Sequence, residues 1–213
     1  MDHDAPEAHE AHSAAPSRTS RRALLGLGIG GAAVSLLPLL TGRAHASAAT
    51  TTAPPKRPTA DDTELLGAAQ QVELAAVALY DSAIAGVSGW TAAQAAVMFT
   101  FRDAHLAYAN SLSALLGRTA PGTAASSVIS SYRGEFGGDP ASVCGASWSL
   151  ESAAVATHGD ILGLLQGVEG AALVASIQIA EARHCTVLAD LAGLTDTASL
   201  LVDDEEAPLA VNG

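Results

Sequence analysis

Two stretches of this chain share one frame. Val72-Glu73-Leu74-Ala75-Ala76-Val77-Ala78-Leu79-Tyr80 and Leu150-Glu151-Ser152-Ala153-Ala154-Val155-Ala156-Thr157-His158 both read apolar residue, Glu, any residue, Ala-Ala-Val-Ala, any residue, ring. Each Glu precedes a His at nearly the same distance: His105 follows Glu73 by 32 positions, and His184 follows Glu151 by 33. An alanine-rich chain can echo itself by chance, but a matched acid and a matched ring are harder to obtain that way. The repeat therefore predicts two copies of one helical hairpin.

Composition agrees with helices. Of the 213 residues 49% are hydrophobic but only 4% aromatic, so a core must be made from Ala, Leu and Val. Such residues favour closely packed helices over a sheet, which draws on Ile, Tyr and Phe. A Thr, Ala and Pro linker over 47–60 leads to Asp61 and Asp62, whose side chains offer capping oxygens to a helix over 61–85. Gly86 to Gly89 turns the chain into a second helix over 91–116, in which Met98, Phe99 and Phe101 read as core packing. A long stretch rich in Gly, Ser and Pro follows, expected to be irregular for much of its course. Helices over 148–166 and 171–191 are separated by Gly167 to Gly170, and an acidic tail with weak structure closes the chain over 194–213. Short turn, long connection, short turn is the pattern of an all-α four-helix bundle over 61–193, two hairpins joined by a long crossover.

The amino terminus has the form of an export address. Ser20-Arg21-Arg22, an apolar run from Ala23 to Leu40 and Ala44-His45-Ala46 give a charged start, an apolar middle and a small-x-small end. The paired arginines with Leu24 and Leu25 resemble a twin-arginine signal over 1–46, cleaved after Ala46, which predicts export across the cytoplasmic membrane. A retained amino-terminal anchor is the alternative, weakened by Gly26, Gly28, Gly30, Gly31 and Pro38 within the run. This leader carries His3, His9, His12 and His45 and no net charge, so the net charge of −12 stays with the remainder. Such an acidic chain offers no basic face to nucleic acid and none for stable binding to anionic lipid. An oxidising compartment permits a disulfide, and Cys144 and Cys185 stand near ends that antiparallel helices would bring together; a bridge or two buried thiols are both open.

Glu181 and His184 share one helix face among Ile177, Leu188 and Leu191. With Glu73, His105 and Glu151 they would meet at mid-height in a bundle of two like hairpins. This set resembles the ferritin-like family of carboxylate-bridged di-iron proteins, in which two helices give one Glu each and two give a Glu-x-x-His pair. The resemblance implies Glu73 and Glu151 as terminal metal ligands, His105 and His184 as imidazole ligands, and Glu181 as a bridge. Tyr80 and His158 would lie just beyond them, His158 as a hydrogen-bonded partner of a carboxylate. One position departs from the pattern: Arg102 stands where the second bridging Glu belongs, and Asp103 is turned about 100° away.

Counting charge shows what Arg102 changes. Three Glu and one Arg leave two negative charges, which one divalent ion neutralises, as do two protonated His without metal. Two divalent ions would leave a net positive charge in a dry core, which is costly. One ion or none is therefore favoured over two, unless Arg102 extends to the surface. Carboxylates with imidazoles suit iron or manganese. The functional expectation is metal binding, with weak metal-dependent oxidation at most; a metal-free structural module held by a buried Glu, Arg and His network is the competing reading. A hydrolase finds no nucleophile-and-base arrangement, and no protein partner is indicated.

Overall fold

A computed structural model describes residues 53–196 and 199–211. The expected export signal over 1–46, with its four His, and the first part of the linker lie outside the described residues. All regular secondary structure among the described residues is helical. Helix α1 spans Ala60–Gly86, α2 Ala92–Leu116, α3 Ser126–Tyr132, α4 Pro140–Leu164 and α5 Val168–Ala192, with single 3-10 turns at Gly117–Thr119 and Glu135–Gly137. Helices α1 and α2 form one closely packed hairpin and α4 and α5 the other. The hairpins meet through α1 against α4 and α2 against α5, which makes a four-helix bundle. Among the described residues no helix is long and apolar enough to cross a membrane.

The core has three layers. One apolar layer contains Leu79, Tyr80, Met98, Phe101, Phe136, Leu150 and Leu188. The other contains Leu66, Leu112, Ile161, Val174 and Ile177. Along each long helix the buried acid or imidazole falls between these two sets, so the polar residues form a sheet of charge between two oily slabs. Phe99 is not in the core: it is 54% exposed, because one residue beyond the inward Met98 points about 100° away around α2.

Helix boundaries follow local chemistry. Thr59, not Asp61, caps α1, and Asp62 completes a capping box by accepting from the Thr59 amide at 2.8 Å. The buried Asp62 carboxylate also accepts from the amides of Gln166 and Gly167, both at 2.8 Å, which ties the start of α1 to the turn between α4 and α5. Burial works to raise the pKa of Asp62, but these backbone donors outweigh it and hold the carboxyl below its ordinary value. No side chain caps α5. The amides of Val168 and Glu169 donate instead to the carbonyls of Pro55 and Lys56, so this end of the linker is pinned to the bundle.

The crossover is more ordered than its composition suggests. Helix α4 begins at Pro140, well before Trp148, because Asp139 accepts from Ala141 and Ser142 amides and Pro140 occupies the first turn. Helix α3 packs on α1, and Phe136 is buried edge-on against Tyr80. The tail has no helix, yet it is held along α4: Leu209 and Asp203 amides donate to Thr157 and Ser152 hydroxyls, and Leu209 and Val211 pack on the core. Cys144 and Cys185 are free buried thiols, which decides between the two possibilities left open by the sequence. Burial pushes them up to about 11 and about 12.

Candidate metal centre

All five candidate ligands, Glu73, His105, Glu151, Glu181 and His184, come together in the middle layer. Glu73, Glu151 and Glu181 are fully buried, His105 is 1% exposed and His184 8%. His158 joins them at 0% and Tyr80 is equally enclosed. The reason lies in helix geometry. Seven residues after Glu73 or Glu151 is two turns further along the same helix face, so Tyr80 and His158 stand above the acids of their own helices.

The two hairpins exchange these groups across their seam. Tyr80 donates its hydroxyl to Glu151 Oε1 at 2.7 Å, while His158 Nε2 lies 3.2 Å from Glu73 Oε1. His158 Nδ1 is 2.8 Å from Glu181 Oε2. His158 therefore touches two carboxylates and belongs inside the cluster, where the sequence placed it just beyond. His105 sits at the centre, with Nδ1 2.7 Å from Glu73 Oε2 and Nε2 2.9 Å from Glu151 Oε1. His184 Nδ1 is 3.3 Å from Glu151 Oε2, and its ring stacks on Phe101 at 3.8 Å between centroids.

Arg102 takes no part. It turns outward to pair with Asp81 at 2.9 Å and Asp103 at 3.1 Å on the rim of the bundle. The buried Glu, Arg and His network expected from the sequence is thus a Glu and His network, three of each. Three carboxylates are neutralised by three imidazolium groups, or by one divalent ion and one imidazolium; two divalent ions would leave one positive charge buried.

Electrostatics follow from this packing. Burial alone would lower His105, but Glu151 and Glu73 outweigh it and hold the imidazole well above its ordinary range. His158 is raised to about 9 in the same way, against burial, by Glu181 and Glu73. Burial raises Glu181 to about 7, with Glu73 and Glu151 adding repulsion and His158 opposing. Glu151 moves the other way: His105 and His184 overcome its burial and hold it far below the carboxylate range.

Two three-residue groups have the spacing of metal ligands. In His105, Glu151 and His184, and again in Glu73, His105 and Glu181, one donor atom from each residue lies within 4.8 Å of the others. Glu181 and His184 fall in different groups, so the carboxylate expected as a bridge does not join both. His105 is common to both.

Hydrogen bonding separates the groups. Both Glu151 oxygens have partners. On the other side Glu73 Oε1, Glu181 Oε1 and His158 Nε2 are buried without a hydrogen-bond partner. The short approach of His158 Nε2 to Glu73 Oε1 does not count as one, since its alignment is poor. Unpaired oxygens in a dry core are costly and require an explanation. A cation between Glu73 and Glu181 supplies one, and two carboxylates with an imidazole fit iron or manganese.

Residues 61–194 match the sequence model of the ferritin-like domain. No curated protein and no solved structure matches the chain.

Proposed function

This chain belongs to the ferritin-like domain family, and on that premise we propose that it binds a single divalent iron or manganese ion through Glu73, His105 and Glu181. The observation that carries this reading is that Glu73 and Glu181 each keep one buried oxygen without a hydrogen-bond partner, while one ligand atom of each lies within 4.8 Å of the other and of one from His105. His105 adds its Nδ1. When bound, the ion supplies Lewis acidity and one-electron redox chemistry. The chain's own residues supply charge balance and dryness: two carboxylates neutralise a divalent ion, and the apolar layers keep water away. The second bridging carboxylate is replaced by the outward Arg102, so efficient two-metal oxidation is not expected. Slow oxidation of the bound metal by oxygen or peroxide is the most chemistry the site supports. We propose in addition that the protein is exported, a reading supported by the resemblance of the segment around Ser20-Arg21-Arg22 to a twin-arginine signal.

Elemental analysis of protein purified without chelators tests the reading. One equivalent of iron plus manganese per chain is expected. Recovery of neither metal, with no uptake of added Fe(II) or Mn(II), would end it. Bound metal at a hundred times its dissociation constant should also stabilise the fold by about 2.7 kcal/mol. A second reading is a metal-free structural module. It is favoured by one fact, the equal number of carboxylates and imidazoles, which can neutralise one another by protonation alone. Export is checked by locating the mature chain outside the cytoplasm and sequencing its amino terminus.

A further inference from the structure

The repeat makes Glu151 the counterpart of Glu73, and by the family resemblance both would bind metal. Their surroundings are not alike. Glu73 keeps one oxygen unpaired. Glu151 receives the Tyr80 hydroxyl and His105 Nε2 on Oε1, and faces His184 Nδ1 with Oε2. The difference traces to one repeat position: where hairpin two carries His158, hairpin one carries Tyr80, whose hydroxyl fills a Glu151 lone pair.

We propose that Glu151 is a positioning residue and not a ligand, and that Tyr80, His105 and His184 together close its half of the centre to a second ion. This rests on the ion site at Glu73, His105 and Glu181. A neutral imidazole that gives Nδ1 to an ion keeps its proton on Nε2, and that proton needs an acceptor in a dry interior. Glu151 Oε1 at 2.9 Å is that acceptor. It fixes the tautomer and ring orientation of His105, as carboxylates behind metal-bound histidines do. An ion at the Glu151 side would need the same imidazole through its other nitrogen, so the two groups exclude one another unless His105 loses both protons. The chain has thus kept the doubled frame of its fold while retaining room for one ion.

The test is Mn(II) titration of the whole mature chain, with stoichiometry and electron paramagnetic resonance as readouts. Wild type should take up one Mn(II) and give the spectrum of an isolated ion. Glu151→Gln should still take up one, with affinity weakened roughly tenfold to a hundredfold, whereas Glu73→Gln and Glu181→Gln should abolish uptake. Loss of binding in Glu151→Gln with retention in Glu73→Gln would overturn the assignment, as would two coupled ions in wild type. A wild type that takes up none overturns the metal reading as well, which separates the two failures. If the variants do not fold, nitrogen NMR of His-labelled, Zn(II)-loaded wild type decides. The expected His105 signal has a protonated Nε2 and a metal-shifted Nδ1; the reverse tautomer would overturn the proposal.

Discussion

His105 is held by a carboxylate on both sides of its ring. Each nitrogen faces a carboxylate, Glu73 at 2.7 Å and Glu151 at 2.9 Å, and these two acids hold the ring protonated well beyond its ordinary range despite burial. Metal can bind only by displacing that proton. Mn(II) uptake at neutral pH should therefore release protons, and affinity should rise with pH by up to about tenfold per unit for each proton displaced. Calorimetry in buffers of different ionisation enthalpy measures the release; a buffer-independent heat would count against it. Much at this scale was legible. The repeat gave Glu73, Glu151, Tyr80 and His158 their common face, and Glu181 with His184 showed theirs by spacing. The role of His158 between two acids was not legible, because periodicity fixes a face but not which helix lies opposite. Arg102 was ambiguous for a related reason: only the position of Asp81 on α1 decides that its long side chain is drawn outward.

Among the elements, the start of α1 does more than begin a helix. Asp62 closes its own capping box and accepts from two amides of the α4–α5 turn, so one buried carboxylate joins the hairpins at their end. Asp62→Ala should cost about 3 kcal/mol, since hydrogen bonds to a charged acceptor and a cap are both lost. Chemical denaturation checks this, and Asp62→Asn should fall between that variant and wild type. Gly167 belongs to the same joint: a Cβ there would lie 2.7 Å from the Arg57 carbonyl oxygen and 2.9 Å from Asp62 Oδ2. Four long helices were readable from sequence because each is bounded by Gly or by a capping residue. The early start of α4 was not, because Gly145 with Ser142 and Ser147 weakens the helical signal that Asp139 and Pro140 begin. Likewise the acidic tail looked unstructured by charge, while its anchors are side chains of α3 and α4, among them Ser127, Trp148, Ser149, Ser152 and Thr157, that no pattern in the tail itself announces.

For the molecule as a whole, the metal-free state depends on protonated imidazoles at the junction of its hairpins. His158 is raised to about 9, so its contribution is fully present below the ordinary histidine range and disappears as pH rises through about 9; His105, held well above its ordinary range, acts in the same direction. Glu181, raised to about 7, acts in the same direction, since the folded state holds its proton longer than the unfolded chain does. The unfolding free energy of metal-free protein should fall between pH 6 and 9.5, by an amount on the order of 3 kcal/mol from His158 alone, and the melting temperature should fall with it. Bound Mn(II) should flatten that slope. A melting temperature that rises over this range would contradict the charge assignment. The layered interior has one more result. Five of the six acids and imidazoles are sealed to within 1%, and only His184 touches solvent, beneath the ring of Phe101. Among the described residues the cluster comes nearest to solvent at His184, and the Phe101 ring lies across that approach. Phe101→Ala should speed both Mn(II) entry and its removal by a chelator by similar factors, leaving the equilibrium constant nearly unchanged. The rate at which an ion enters and leaves would then be set by a residue that never holds it.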